Sequence, residues 1–350
     1  MSSASHKIAY RPDIDGLRAI AVLGVVFFHA GLGFPGGYAG VDVFFVISGF
    51  LITSLILKEL RQGTFSLLGF WERRARRILP ALTVVVVAIL IAGWFFLLPA
   101  DYEVLGKQIV ALAALSSNIK FWWETGYFAT SAEEKPLLHT WSLSLEEQFY
   151  LLIPLLLWFL FRLRKSSWVA PVLFLGAIAS FTLSVIGSYR APSATFFLLP
   201  TRAWELAAGS LLAFVQPIPQ PRLRTLIAWL GLAAILGPLF FYAPGIRFPG
   251  LTALPPVAGA ALLIWSGLRP PSSDLRPPSS VLRLQTPASQ PSARHPSPRL
   301  DRTPLLFSLP LALAAVRVLQ VSELHPAYTA SSSLSGRDFR PSRLVITMLC

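Results

Sequence analysis

Long apolar blocks separated by short polar or basic stretches run through the first three quarters of the chain. Each block is close to the ~20 residues that a helix needs to cross the hydrocarbon core of a bilayer. Helices satisfy their own backbone hydrogen bonds, so the pattern predicts an all-α, polytopic transmembrane helix bundle. The blocks cover residues 17–35, 38–57, 79–98, 145–161, 168–188, 201–216, 225–243 and 250–267.

The basic residues predict which way the helices run, because Lys and Arg accumulate on the cytoplasmic side of membrane proteins. With a cytoplasmic N-terminus, the cluster Arg73 to Arg77 and the group Arg162 to Lys165 both lie inside. This holds only if residues 104–121 do not span. We therefore interpret residues 104–121 as interfacial or re-entrant, which gives eight membrane segments, or nine if they do span.

Composition supports a membrane protein, since 54% of the residues are hydrophobic and only 13% are charged. Ordinary soluble domains contain roughly a quarter charged residues. The formal net charge of +13 comes largely from basic loops beside apolar helices. Such loops are a topology signal, so nucleic acid is not expected as a partner. Cys350 is the only cysteine, which excludes an intrachain disulfide and a Cys/His metal site.

The sequence changes character after Leu268, where Pro, Ser and Arg dominate and Lys is absent. Sequence of this kind buries too little apolar surface to fold. We expect an integral-membrane domain over residues 1–267 and a disordered tail over residues 268–350. The tail is either a natural disordered segment or the product of a reading-frame change.

Arg18 and His29 lie inside the first apolar block, where ionisable side chains are costly and often functional. Their separation of eleven residues is about three helical turns, so they share one face roughly 16 Å apart. A histidine there can act as general base, and an arginine can bind phosphate. The alternative is a packing histidine and an arginine that extends to the headgroups.

A second candidate site lies in the stretch Trp141–Tyr150, where two carboxylates enter an apolar helix. Ser142, Glu146 and Tyr150 fall on one helix face, and Glu147 lies next to them. The serine and the glutamates can cap the helix start and favour its dipole. Two carboxylates are more than a cap requires, which favours a functional role.

Two further pairs have helical spacing. Arg74 and Arg77 are three residues apart and either hold phosphates or only set the topology. Arg202 and Glu205 have the spacing of a structural ion pair at a helix start.

These stretches resemble the signatures of membrane-bound acyltransferase family 3, which O-acetylates lipopolysaccharide O-antigen, peptidoglycan and other exported glycans. The resemblance covers about residues 8–267 and is specific, because several long motifs occur in the family's order. The similar stretches are residues 10–19 with His29, 36–50, 70–80, 141–150 and 202–206.

The resemblance implies a bundle of about ten helices in a bacterial inner membrane, with the N-terminus cytoplasmic. An acyl group, usually acetyl, would pass from cytoplasmic acyl-CoA (acetyl-CoA) to a hydroxyl of a glycan or lipid-linked saccharide. It makes His29 and Glu146, with Ser142 and Glu147, the catalytic candidates. The donor would be bound by three arginines: Arg18, Arg74 and Arg77. No metal and no permanently bound cofactor is expected.

Two other functions stay open from the sequence. Family members continue with further helices where this chain has its Pro/Ser/Arg-rich tail, so an inactive truncated relative is one alternative. A transporter whose buried His and Glu relay protons or ions is the other. A transporter of this kind would be expected to contain inverted repeats with broken helices.

Overall fold

The computed structural model describes residues 11–125, 135–243 and 245–269, and these residues form a bundle of α-helices. Turns and short 3₁₀ segments connect the helices. The helices are α1 (Pro12–His29), α2 (Gly40–Arg61), α3 (Leu67–Phe96), α4 (Pro99–Ala113), α5 (Ser117–Glu124), α6 (Thr140–Arg162), α7 (Val169–Arg190), α8 (Pro192–Phe197), α9 (Leu199–Leu211), α10 (Pro221–Phe241) and α11 (Leu254–Ser266).

Helix starts follow the local sequence. Pro12, Pro99 and Pro221 each stand at a first helical position, where the missing N–H costs nothing. Ser66 precedes α3, and its hydroxyl oxygen accepts a hydrogen bond from the backbone N–H of Gly69 at 3.3 Å.

Each of the eight predicted blocks corresponds to a helix, which confirms the predicted all-α membrane fold. Five helical stretches are long and apolar enough to cross a membrane: Gly37–Arg61, Leu67–Phe96, Thr140–Arg162, Ser166–Arg190 and Pro221–Phe241. Gly250–Ser266 is a shorter apolar helix. The predicted tail, residues 268–350, lies almost entirely outside the described residues.

The ambiguous segment 104–121 is a helical hairpin rather than one spanning helix. Its arms are α4, with 15 residues, and α5, with 8 residues. Between the arms, Gln108 Nε2 donates a hydrogen bond to Glu124 Oε2 at 3.1 Å. At the turn, Gln148 Nε2 of α6 donates to the Leu115 carbonyl oxygen at 2.7 Å. The segment is therefore not one continuous helix, and its interfacial or re-entrant placement stays a prediction.

Helices α2 and α9 approach each other backbone to backbone. A Cβ atom at Gly49 would collide with the carbonyl oxygen of Leu206, and one at Gly209 with that of Val46. Glycine at these positions therefore allows the close contact, as the small residues of the second block suggest. The contact also aligns Thr53 with Ser210, whose hydroxyls hydrogen-bond at 2.8 Å.

Two apolar cores meet at α2. One core includes Phe45 of α2 and packs against α3 to α6, and the other includes Val46 and packs against α1 and α9 to α11. Helix α2 is thus the central element. Its neighbours α1 and α6 carry the catalytic candidates His29, Ser142, Glu146 and Glu147.

Candidate functional site

His29 is the last residue of α1, and its ring is held by its own helix. The ring Nδ1 lies 2.8 Å from the carbonyl oxygen of Val25. A carbonyl oxygen only accepts, so Nδ1 carries a proton and donates it. In the neutral ring the lone pair is therefore on Nε2. The side chain is exposed, so Nε2 is available as a base.

His139 lies against His29, although the sequence analysis did not select it. The ring centroids are 4.5 Å apart and the rings are nearly perpendicular, at 88°. His139 immediately precedes α6. Partial burial and the charge that His29 can carry lower the pKa of His139 to about 4, although part of the residue stays exposed. A signal for His139 was present in the sequence, since it lies two residues before the stretch Trp141–Tyr150 that was selected as a candidate site.

A second polar cluster forms where α3 packs on α6. The Tyr150 hydroxyl donates a hydrogen bond to Glu146 Oε2 at 3.1 Å, which confirms that these residues share a helix face. Ser48 of α2 also hydrogen-bonds to Glu146. The Arg74 guanidinium lies 5.8 Å from the Tyr150 ring centroid. Trp71 Nε1 donates to the Tyr150 carbonyl oxygen at 3.1 Å and ties the two helices together.

Arg74 is half-buried and lies between two aromatic rings, since the Phe70 ring centroid is 5.9 Å from its guanidinium carbon. Glu147 is close enough for its charge to interact with Arg74. Glu147 Oε1 is buried, and no described residue forms a hydrogen bond with it. The cluster therefore combines one cation with two carboxylates.

The alternative that the two glutamates only favour the dipole at the helix start does not hold. Helix α6 begins at Thr140, so Glu146 and Glu147 are its seventh and eighth residues and lie beyond its first turn. Ser142 lies inside the helix, and its hydroxyl donates to the His139 carbonyl oxygen at 3.3 Å.

Of the remaining two arginines of the predicted donor site, Arg18 lies on α1, and Arg77 lies one turn from Arg74 on α3, close enough for the two charges to interact. Arg18 Nη1 pairs with Asp15 Oδ1 of its own helix at 3.3 Å, and 37% of the Arg18 side chain is exposed. Arg77 is exposed, in the N-terminal half of α3. Eleven residues of α1 separate Arg18 from His29, as the sequence predicts.

The expected ion pair of Arg202 and Glu205 is present and includes a third residue, Asp42 of α2. Arg202 lies 3.2 Å from Glu205 and 3.1 Å from Asp42, and all three side chains have 0% exposure. This cluster belongs to the core between α2 and α9. Within the described ranges, no group of three or more His, Cys, Asp or Glu residues could hold a metal ion.

The sequence model of one family, described as an acyltransferase domain, matches residues 11–280. The chain belongs to acyltransferase family 3. As a member of this family with five helices able to span a bilayer, it is a multi-pass membrane protein.

Curated relatives of this acyltransferase family 3 chain are named O-acetyltransferases. O-acetyltransferase OatA of Staphylococcus aureus strain NCTC 8325 is 38% identical over 216 residues, covering 59% of this chain and 35% of the relative. A putative O-acetyltransferase of strain MSSA476 is 39% identical over 222 residues, covering 60% of this chain and 36% of the relative. The chain thus spans about a third of the length of the relatives that it matches. No solved structure matches it.

Proposed function

We propose that this protein is a membrane O-acyltransferase that moves an acyl group from acyl-CoA to a hydroxyl of an exported cell-envelope glycan. The acyl group is acetyl, in keeping with the names of the relatives. Lipopolysaccharide O-antigen is one acceptor of the expected class. The chain acts in the bacterial plasma membrane with its N-terminus on the cytoplasmic side.

The observation that carries this proposal is the hydrogen bond between His29 Nδ1 and the Val25 carbonyl oxygen. It leaves Nε2 of a neutral His29 free to accept the proton of an attacking hydroxyl. The hydroxyl oxygen attacks the thioester carbonyl carbon, the C–S bond breaks, and His29 returns the proton to the thiolate of CoA. No other co-reactant is required.

Arg74 is the strongest candidate for binding the donor. CoA carries phosphates, and a planar guanidinium binds phosphate oxygens with two parallel hydrogen bonds. The rings of Phe70 and Tyr150 and the nearby Glu147 hold Arg74 in one orientation. Arg18 and Arg77 are more exposed and contribute positive charge to the approach of the donor.

Glu146 is the second proton-handling residue of the proposal. It already accepts hydrogen bonds from Tyr150 and Ser48, which fix its carboxyl group. Seven residues of α6 separate it from His139, which is about 10 Å along the helix axis. Glu146 therefore acts along the path to His29 rather than in contact with its ring.

Proteoliposomes containing the full chain, acetyl-CoA labelled in the acetyl group and purified envelope glycans test the proposal. We expect transfer of label to glycan by the wild-type chain and a loss of about 10²- to 10⁴-fold in His29→Gln, since glutamine cannot accept the proton. The matched control is His6→Gln, which we expect to transfer label at the wild-type rate.

Two results would count against the proposal. Absence of transfer with every glycan tested would indicate a family member without activity of its own. Normal transfer by His29→Gln at normal protein level would remove His29 as the base.

A further inference from the structure

His139 provides a second imidazole at the place where the proposed base acts. Its ring contacts the His29 ring at 4.5 Å between centroids and 88° between planes. The two imidazole rings are therefore neighbours in one part of the candidate site. His29 donates a hydrogen bond from Nδ1 to the Val25 carbonyl oxygen, which leaves Nε2 for the substrate.

The position of His139 in the fold favours a neutral ring. It stands at the start of α6, a helix of 23 residues, whose N-terminal end carries partial positive charge. Among the described residues, His29 is the titratable group whose ring touches it. The start of α6 and His29 both disfavour a positive charge on the His139 ring, in line with the pKa of about 4 for His139.

A neutral imidazole still has one N–H to donate. Acyl transfer places negative charge on the carbonyl oxygen of the acyl group in the transition state, and a fixed donor there lowers the barrier. A helix N-terminus can keep a histidine neutral. Such a histidine can donate a hydrogen bond to the carbonyl oxygen without giving up its proton.

We propose that His139 is a catalytic residue whose N–H donates a hydrogen bond to the acyl carbonyl oxygen, while His29 Nε2 accepts the proton of the attacking hydroxyl. This assignment rests on the proposed function. In the step, the hydroxyl oxygen bonds to the carbonyl carbon and the carbonyl electron pair moves to the oxygen held by His139. When that pair returns, the C–S bond breaks and the thiolate takes the proton from His29.

Two substitutions separate hydrogen-bond donation from packing. His139→Phe keeps a planar ring against His29 but has no N–H, whereas His139→Gln loses the ring and keeps a donor. We expect His139→Phe to lower kcat by about 10²- to 10³-fold with little change in KM for acetyl-CoA, since one oxyanion donor is lost. His139→Gln should retain at least a tenth of the wild-type kcat.

Equal kcat values in the two variants, or a Phe variant faster than the Gln variant, would show that His139 acts by packing and would overturn the assignment. Both variants are compared at equal levels of folded protein in detergent, measured by monodisperse elution. A variant that does not fold is replaced by His139→Leu, which also lacks a donor, or by His139→Asn, which also keeps one, respectively.

A second measurement is independent of turnover. Carbethoxylation by diethyl pyrocarbonate modifies only neutral imidazole, and peptide mass spectrometry reads His29 and His139 separately. We expect His139 to stay reactive down to about pH 5, well below the ordinary histidine midpoint of about 6.5. A midpoint near 6.5 would contradict the neutral donor. If the wild-type chain transfers no acyl group, the proposed function is at fault, and this titration alone decides whether His139 is the neutral imidazole.

Discussion

The Arg202 guanidinium of α9 lies 3.1 Å from the Asp42 carboxylate of α2, and both side chains have 0% exposure. Glu205 lies 3.2 Å from the same guanidinium. Aromatic rings surround the cation at 5.4 to 5.8 Å from its carbon: Phe45, Trp141, Phe196 and Phe248. A single buried cation therefore faces two carboxylates, with the negative faces of four rings around it.

Removal of Arg202 should be far more damaging than removal of Glu205. Arg202→Gln leaves two buried carboxylates without a cation, and breaking a buried pair costs about 3–5 kcal/mol. Glu205→Gln leaves the pair of Arg202 with Asp42 intact. The thermal unfolding midpoint of each purified variant in detergent measures the difference. Equal midpoints in the two variants would contradict this difference, and wild-type midpoints in both would show that the ion pairs do not stabilise the α2/α9 contact.

The α2/α9 contact should not tolerate a methyl group at Gly209. Gly209→Ala places a Cβ against the Val46 carbonyl oxygen, and relief of the clash must separate the helices. Overpacking of this kind costs about 1–3 kcal/mol. Gly176→Ala is the matched control, because a Cβ there has nothing within 4 Å. Yield of folded protein and unfolding midpoint should fall only for Gly209→Ala, and an equal fall in both would contradict the close approach.

The predicted orientation can be tested by cysteine labelling in whole cells. The background is Cys350→Ser, which removes the natural thiol. Gln62→Cys lies in the turn after α2 and Arg190→Cys lies at the end of α7, both at exposed positions. An impermeant maleimide should label Arg190→Cys from outside and Gln62→Cys only after the cells are opened. The reverse pattern would place the N-terminus outside.

Acid should destabilise the protein partly through His139. Its pKa of about 4 in the folded protein lies below the ordinary value of about 6.5, so the unfolded chain binds the proton more readily. The free energy of unfolding is therefore unaffected above pH 6.5 and falls as the pH drops from 6.5 towards 4. Unfolding midpoints between pH 7 and 5 should fall more steeply in wild type than in His139→Gln. Parallel curves would mean that His139 titrates normally.

Sequence patterns were sufficient for the helices, because a span of about 20 apolar residues has few alternatives in a bilayer. They also identified residues that share a helix, such as Glu146 with Tyr150 and Arg202 with Glu205. The sequence patterns did not identify contacts between helices. The pairing of His29 with His139 joins residues 110 positions apart, and no spacing rule connects such positions.

The fold of residues 104–121 also depends on a contact with a distant helix that the sequence pattern does not show. The segment's length of 18 residues fits a spanning helix, and the distribution of arginines argued against one. The structure divides it into α4 and α5, with the Gln148 side chain of α6 bonded to the carbonyl of Leu115 at the turn. That bond depends on a helix more than thirty residues away, which a local pattern does not include.

Helix α6 sets the spacing between two candidate sites, because His139 immediately precedes it and Tyr150, beside Arg74, follows eleven residues later. The interval along a straight helix is about 16 Å, and the same number of residues separates Arg18 from His29 on α1. Along a helix, the distance between two residues and the angle between their side chains change together. One residue inserted between His139 and Tyr150 would add only about 1.5 Å but would turn one end by about 100° relative to the other. The helical repeat therefore fixes both the distance and the relative orientation of His139 and Tyr150.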